Sequence, residues 1–569
     1  MARHLITSAL PYINGVKHLG NLVGSMLPAD VYARYLRSRG HEVLAICATD
    51  EHGTPAELAA MEAGQSVEEY CAEQHEIQKD LGERFGLSWD HFGRTSRPQN
   101  HELTNHLADA LDRNGYLEER AIQQVYSPSE GRFLPDRYVT GTCPHCGFER
   151  ARGDQCENCG RLLDPTDLID PRSTVTGATD LEVRESRSVF LLQSKLADEV
   201  RTWIESQDQW PNLPRSIALK WLDEGLKDRD ITRDLAWGIP VRRPGLEHKV
   251  WYVWFDAPIG YIGATKEWSD LDPDIRDWRS WWWDSPEVTY TEFMGKDNVA
   301  FHTVSFPVTL IGSGEPWHKV DFLKAFNWLT YYGGKFSTSQ GIGVFMDDAL
   351  ELLPADYWRW YLIANAPESD DASFTWPLFA QAVNGDLVGR LGNFVNRTLS
   401  LTAKRFGEAV PEGGQPGDVE AQLAADVQTK LDEVAGHFEA MEFRKVTRAI
   451  RELWSLGDAY LERREPWRLI KAEAAPWGDQ TGQEAAAAVL RTAINLIPVL
   501  AGAAASIIPT AAGTARAAVG VEGTTWPTVD LTALEPGRPF TVPPLLFRRI
   551  EDEEVEAWTA RFGGPADVA

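Results

Sequence analysis

The sequence predicts an α/β domain built on a parallel sheet, interrupted by a cysteine-bearing insertion and followed by an all-helical half. Three observations carry this reading. Up to about Tyr116, buried-strand runs alternate with helical ones, and each strand ends in a polar turn. Cys143, Cys146, Cys156 and Cys159 form two CxxC pairs inside a stretch of changed character, from Glu118 to about Gly225. From about Leu378 strand patterns vanish, and apolar residues recur at helical spacing to about Ala517.

In order, residues 4–10 and 42–48 read as buried strands, with a helix over 22–39 between them. After the insertion, residues 250–254, 288–294 and 321–327 restore the strand pattern. The divisions expected are 1–116 and 226–325 for two halves of the α/β domain and 117–225 for the insertion. A mobile-loop region at 326–378, a helical bundle at 379–530 and a Pro- and Thr-rich tail at 531–569 complete the chain. A length of 569 residues exceeds what one core supports. The small-residue stretch 485–519 is broken by Arg491, Asn495, Pro498 and Pro509, so it reads as packed helices with no membrane span.

Lys and Arg number 56 against 84 Asp and Glu, a net charge of −28. Globally this opposes binding to a phosphate backbone, so any such contact needs a local basic patch. One exists: between Ala440 and Lys471 basic residues outnumber acidic ones, and Arg444, Arg448 and Arg451 line one helix face. A solvated face explains that stripe equally well.

Nine residues separate Cys146 from Cys156. Four thiolates in paired knuckles suit one structural Zn²⁺, with no coordination position left for chemistry. Clustered thiols of this kind point to a reducing cytoplasm. Cys47, in an apolar strand, reads as core, and Cys71 as an incidental thiol.

Ligands of an open parallel sheet bind beyond the carboxyl ends of its strands. Unusual polar groups sit there: Asn14, His18 and Asn21 after the first strand, Asp50 after the second, Asp256 after Trp254, then Gly295-Lys296-Asp297 and the loop from Gly333 to Ser339. His18 and Asn21, one helical turn apart at a helix start, are placed to donate to one phosphate chain. Simple capping of the helix by Asn21 accounts for the short pattern as well.

The full pattern Pro11-Tyr12-x-Asn14-Gly15-x-x-His18-Leu19-Gly20-Asn21 resembles the HIGH signature of class I aminoacyl-tRNA synthetases, in the form of the methionyl-tRNA synthetase family. The resemblance extends along nearly the whole chain, through the segments Ala48 to Pro55, Tyr252 to Tyr261, Phe293 to Asp297 with Phe301-His302, and Lys335 to Ser339. It implies a Rossmann-like catalytic domain with a zinc-knuckle connective insertion and an all-α anticodon-binding bundle. It further implies activation of L-methionine with ATP and Mg²⁺, and transfer to initiator and elongator tRNA(Met) by a cytoplasmic monomer. Carried over by position, His18, Asn21, Lys335 and Thr338 are catalytic, and with Gly295 and Asp297 they hold ATP. Asp50 takes the ammonium group, and Ala9, Leu10, Tyr12, Trp254, Ala257, Pro258, Tyr261, Phe301 and His302 wall the side-chain pocket. Aromatic walls suit an unbranched thioether, with Tyr12 and His302 as sources of its one polar contact. Asn393, Arg397 and Trp467 match the anticodon-reading trio, a stacking and hydrogen-bonding set suited to splayed bases. One departure stands out: the family's loop is Lys-Met-Ser-Lys-Ser, and Thr338 occupies the second lysine's position with no charge to offer. Two rival readings remain, a class I relative charging another amino acid and a non-catalytic RNA-binding paralogue.

Overall fold

The computed structural model describes residues 2–156, 158–159, 161–338, 341–413, 417–477 and 479–563. Five parallel strands form its centre: β1 (Arg3–Ser8), β2 (Glu42–Thr49), β3 (His91–Arg94), β4 (Val288–Gly295) and β5 (Phe322–Phe326), in the order β5-β4-β1-β2-β3. The chain leaves β1 toward β2 on one side and returns to β4 on the other. The carboxyl ends of β1 and β4 therefore flank the point where strand order reverses, where a crevice opens in such sheets.

Alternation along the strands divides the sheet between two cores. Leu5, Leu44, Ile46, Tyr290 and Met294 face helices Pro98–Arg113 and Val253–Asp270. Ile6, Ala45 and Phe293 face the other way, into a core continuous with the C-terminal helices. There Tyr35 stacks on Phe438 at 4.5 Å, and Phe443 meets Phe293 and Phe326. The helical half thus packs directly on the sheet.

The insertion carries an antiparallel ladder of Leu117–Ser127 with Glu182–Leu191, and a small sheet of Val139–Thr142, Ala151–Arg152 and Ile169–Ser173 beside the cysteines. Its last two helices, Ala197–Glu205 and Asn212–Asp223, pack into the catalytic core through Val200, Ile204, Ala218 and Leu222. Gly482–Ala504 is long and apolar enough to cross a membrane, but 89% of its apolar window is buried within the protein. The tail returns to the front half: Trp526 packs edge-on against Tyr35, and helix Asp552–Phe562 sets Trp558 and Phe562 on Trp376.

Two expectations need correction. Residues 250–254 are not one strand: only Val250–Trp251 is extended, and Val253–Asp270 is a helix. Its buried Phe255, Ile259 and Ile262 recur at helical spacing, hidden in the sequence by the aromatic and β-branched residues before them. Asp256 consequently lies in a helix's first turn and not at a strand end. Residues 22–39 are also not one regular helix, because Leu22–Met26 is a π segment and only Leu27–Ser38 is α-helical. Two further π segments, Phe301–Ser305 and Val383–Gly392, begin at Phe301 and end just before Asn393. All three adjoin expected site residues, a common setting for this geometry.

Candidate active site and anticodon surface

Beyond β1 the chain makes a second, single-residue pairing with the end of β2. Ile13 N–H donates to the Asp50 carbonyl and Asp50 N–H to that of Pro11, both at 2.9 Å, which sets Tyr12 beside Asp50. Asp50 is 5% exposed, and its Oδ1 has no hydrogen-bond partner among the described residues. Burial, followed by the neighbouring Asp256 and Glu51, pushes its carboxyl well above the ordinary range, against the His52 N–H and Lys17. A buried carboxylate with an unsatisfied oxygen among other acids is suited to a cation.

Around this carboxylate stand the aromatic groups. Trp254 Nε1 donates to the Tyr12 hydroxyl at 3.4 Å, and the Trp254 and Phe301 rings are 4.6 Å apart. Arg229, which the sequence did not flag, lies 4.9 Å from Trp254 and 5.3 Å from Phe301 and props this wall from behind. Leu10 packs at Gly260, where a Cβ would come within 3.3 Å of Leu10 Cδ1. Ala257, Pro258 and Tyr261 follow on the same helix as Trp254.

His302 Nδ1 donates to the Asn298 carbonyl at 2.8 Å, so its Nε2 accepts from the Tyr261 hydroxyl, also at 2.8 Å. Burial lowers the imidazole to about 4, which keeps it neutral. Both ring nitrogens are therefore occupied, and His302 has no donor left for a thioether. Tyr12, which receives Trp254's N–H, keeps its own proton for that contact.

On the other side of the crevice, His18 caps the helix that begins at Leu19. Asn21 N–H donates to His18 Nδ1 at 3.1 Å, and His18 N–H donates to Asn21 Oδ1 at 3.2 Å. The capping reading and the phosphate reading are thus compatible. Capping uses the two acceptor atoms, which leaves His18 Nε2–H and the Asn21 amide hydrogens as donors. Burial and the adjacent Lys17 lower His18 to about 4, so it donates as a neutral ring.

The segment around Phe336 lies against this helix start. Phe336 stacks on His18 with centroids 4.9 Å apart. A Cβ at Gly343 would meet Phe336 at 2.1 Å, and the same backbone has φ +110°, so glycine is required there. Thr338 lies over Gly15, its Cγ2 3.8 Å from where a Cβ would stand. Lys335 and Lys296 both lie against the Trp328 ring, at 5.2 and 4.3 Å, and Lys296 pairs with Asp371 at 2.8 Å. Ser339 lies outside the described residues. At the end of β4, a Cβ on Gly295 would meet Asp297 Oδ1 at 2.6 Å, so the chain turns there without a side chain.

Residues that the sequence reading passed over include Lys17, Gln78 and His52. Gln78 Nε2 donates to the carbonyls of Tyr12 and Gly15 at 3.1 and 3.2 Å and holds the loop from below. His52 Nδ1 donates to Asp256 Oδ2 at 2.7 Å, both fully buried beneath Asp50. His52 lies in a quoted motif, but nothing in the sequence pairs it with a residue 204 positions away.

The four cysteine sulfurs lie within 4.8 Å of one another, with 3.9 Å between Cys143 and Cys159 and 3.6 Å between Cys146 and Cys156. A tetrahedral zinc with four sulfur ligands has sulfur–sulfur edges of about 3.8 Å, so this set fits the metal.

In the helical half, Asn393 and Arg397 share one face of helix Asn393–Phe406. Arg397 lies 4.9 Å from the Trp467 ring and pairs with Glu462 at 3.0 Å. The structure thus joins Arg397 and Trp467, 70 residues apart in the sequence, on one surface. The arginine stripe lies toward the other end of helix Phe443–Arg464 and is partly neutralised: Arg448 pairs with Glu452 at 3.2 Å and Arg451 with Asp386 at 3.1 Å.

Residues 4–399 match the family model for class I tRNA synthetases (M), and 410–567 that for the anticodon binding domain of methionyl tRNA ligase. The methionine–tRNA ligase of Streptomyces avermitilis is 60% identical over 580 residues, covering 99% of this chain and 100% of the relative. That of Caulobacter vibrioides is 59% identical over 577 residues, covering 99% and 100%. The fold is that of Mycobacterium tuberculosis methionyl-tRNA synthetase solved with methionyl-adenylate: TM-score 0.77 at 24% identity, over 96% of this chain and 100% of that one. The chain belongs to the methionyl-tRNA synthetases, the class I enzymes that activate methionine with ATP and charge tRNA with it.

Proposed function

We propose that the crevice at the β1–β4 switch point divides the activation of methionine between its two walls. Asp50 holds the ammonium group, and Tyr12, Trp254, Phe301 and the Tyr261–His302 pair enclose the side chain, with Ala9, Leu10, Ala257 and Pro258 completing the pocket. His18 Nε2–H and the Asn21 amide reach the phosphates, Gly295 and Asp297 take the nucleoside side, and Lys335 and Thr338 close over the site. The substrate carboxylate is already ionised, so its attack on the α-phosphorus needs no general base. Catalysis is then positioning and charge stabilisation. Mg²⁺ accompanies the ATP phosphates and offsets their charge. Zinc, held by Cys143, Cys146, Cys156 and Cys159, supports the insertion and takes no part in the reaction.

Asn393, Arg397 and Trp467 read the anticodon of tRNA(Met), initiator and elongator. The working unit is taken to be a cytoplasmic monomer, and the clustered thiols support the cytoplasm. The observation that carries this reading is the unpartnered Oδ1 of buried Asp50 inside an aromatic enclosure. Its test is Asp50→Ala in ATP–pyrophosphate exchange. Loss of a charge-assisted contact of this kind raises the methionine KM roughly 30- to 100-fold, with the ATP KM little changed. An unchanged methionine KM would overturn the assignment.

A further inference from the structure

One group beside the crevice has no task in this division of labour. Lys17 lies within the Pro11–Asn21 segment, is 5% exposed, and among the described residues donates a single long hydrogen bond, to Asn14 Oδ1 at 3.4 Å. Its backbone carbonyl accepts from Met346 N–H at 2.9 Å, which ties the residue to the segment behind the mobile loop. Its charge is felt on both walls, raising the acidity of Asp50 on one side and of His18 on the other. A buried ammonium with one long hydrogen bond is expensive to keep, and burial draws Lys17 down to about 7 against the opposing pull of Asp50. A lysine is retained in such a place when an anion arrives to share its charge.

The anion is supplied by the reaction. As the methionine carboxylate oxygen bonds to the α-phosphorus, the bond from that phosphorus to the bridging oxygen breaks, and the electron pair leaves with pyrophosphate. Negative charge therefore grows on the side of the crevice lined by Asn14, His18 and Asn21. Above this side the mobile loop offers Thr338, which is neutral, while Lys335 and Lys296 are engaged on Trp328.

We propose that Lys17 is the cation of the phosphate wall, acting from beneath the Asn14–Gly15 turn, through Asn14, to stabilise the departing pyrophosphate in place of a charged residue at 338. Its contact is with Asn14 and not with substrate, so it is a positioning residue. By donating to Asn14 Oδ1 it turns the Asn14 amide hydrogens toward the crevice, and its charge acts across a short, water-poor distance. The inference rests on the phosphate assignment of His18 and Asn21.

The test is single-turnover adenylate formation by Lys17→Met, which removes the charge and keeps an unbranched chain of similar volume. Methionine affinity is measured in parallel by tryptophan fluorescence. The rate should fall roughly 10- to 100-fold, with methionine affinity unchanged within about twofold. Introducing Thr338→Lys, which places a charge on the opposite side of the same turn, should then speed the Lys17→Met enzyme at least roughly tenfold more than it speeds the parent. Equal acceleration in both backgrounds would overturn the proposal, as would an unchanged rate. A fall in methionine affinity matching the fall in rate would also overturn it and would make Lys17 a counter-charge for Asp50. Failure of the underlying phosphate reading shows separately, as single-turnover adenylate formation that is unchanged in His18→Ala.

Discussion

A histidine and an asparagine three residues apart at a helix start have two descriptions, cap and phosphate ligand, and the capping geometry leaves free the donors that the proposed phosphate role needs. With His18 Nδ1 accepting from Asn21 N–H, the ring's proton is confined to Nε2 and the ring cannot turn away. His18→Ala should therefore have two separable effects. Adenylate formation should slow roughly 100-fold, and the helix should lose about 1 kcal/mol of capping stability. Rapid-quench kinetics and denaturant unfolding read these independently. A stability loss with no change in rate would leave His18 a cap alone. At this scale the sequence was most informative where residues act through local spacing. It was silent on Lys17, on His52 with Asp256, and on His302's engagement with Tyr261, because a buried charge or a filled hydrogen bond is visible only when distant partners meet.

Among the elements, helix 355–364 is the joint between the two halves of the enzyme. Its Arg359 is fully buried and donates to Asp30 Oδ2 at 2.7 Å, to the Ile507 and Ser506 carbonyls at 2.7 and 2.9 Å, and to that of Phe85 at 3.1 Å. One side chain thus ties the helix that follows His18 to the helical bundle. Removing it leaves Asp30 buried with less compensation, so Arg359→Met should destabilise the protein by about 3–5 kcal/mol, measured by urea unfolding. A loss below about 1 kcal/mol would show that the halves are held by apolar packing alone. The four-cysteine knuckle, read as a zinc site, is the converse case, a local unit with a small core. Chelation should raise amide exchange across the sheet around residues 139–173 and leave the strands of the central sheet protected. Most strands were legible, since short apolar runs between polar turns have few other solutions. The run 250–254 misled because aromatic and β-branched residues satisfy both a strand and the first turn of a buried helix. The π segments have no sequence signature and were missed.

For the whole molecule, the decisive feature is that the sheet and the helical bundle share one apolar core, so the crevice and the Arg397–Trp467 surface stand on a common body. A chain of charge −28 approaches an anionic partner through a local surface, and the segment from Ala440 to Lys471, which includes Trp467, carries more basic than acidic residues. Trp467→Ala should lower kcat/KM for tRNA roughly 10- to 100-fold and affect charging far more than tRNA-free exchange. Comparable losses in both would show that this surface serves the fold and not the anticodon. The α/β-then-helical plan was legible because its two periodicities change along the chain, whereas the shared core depends on contacts such as Tyr35 with Phe438 that no local pattern announces. The central claim is that one crevice selects methionine and activates it without a lysine at 338. Its most direct test is amino-acid-dependent ATP–pyrophosphate exchange, without tRNA, across the twenty amino acids and homocysteine. Exchange should be strong with methionine, with homocysteine the nearest competitor, because an apolar pocket discriminates one methylene by only about 1–3 kcal/mol. Exchange with no amino acid, or as fast with leucine or valine as with methionine, would contradict the account.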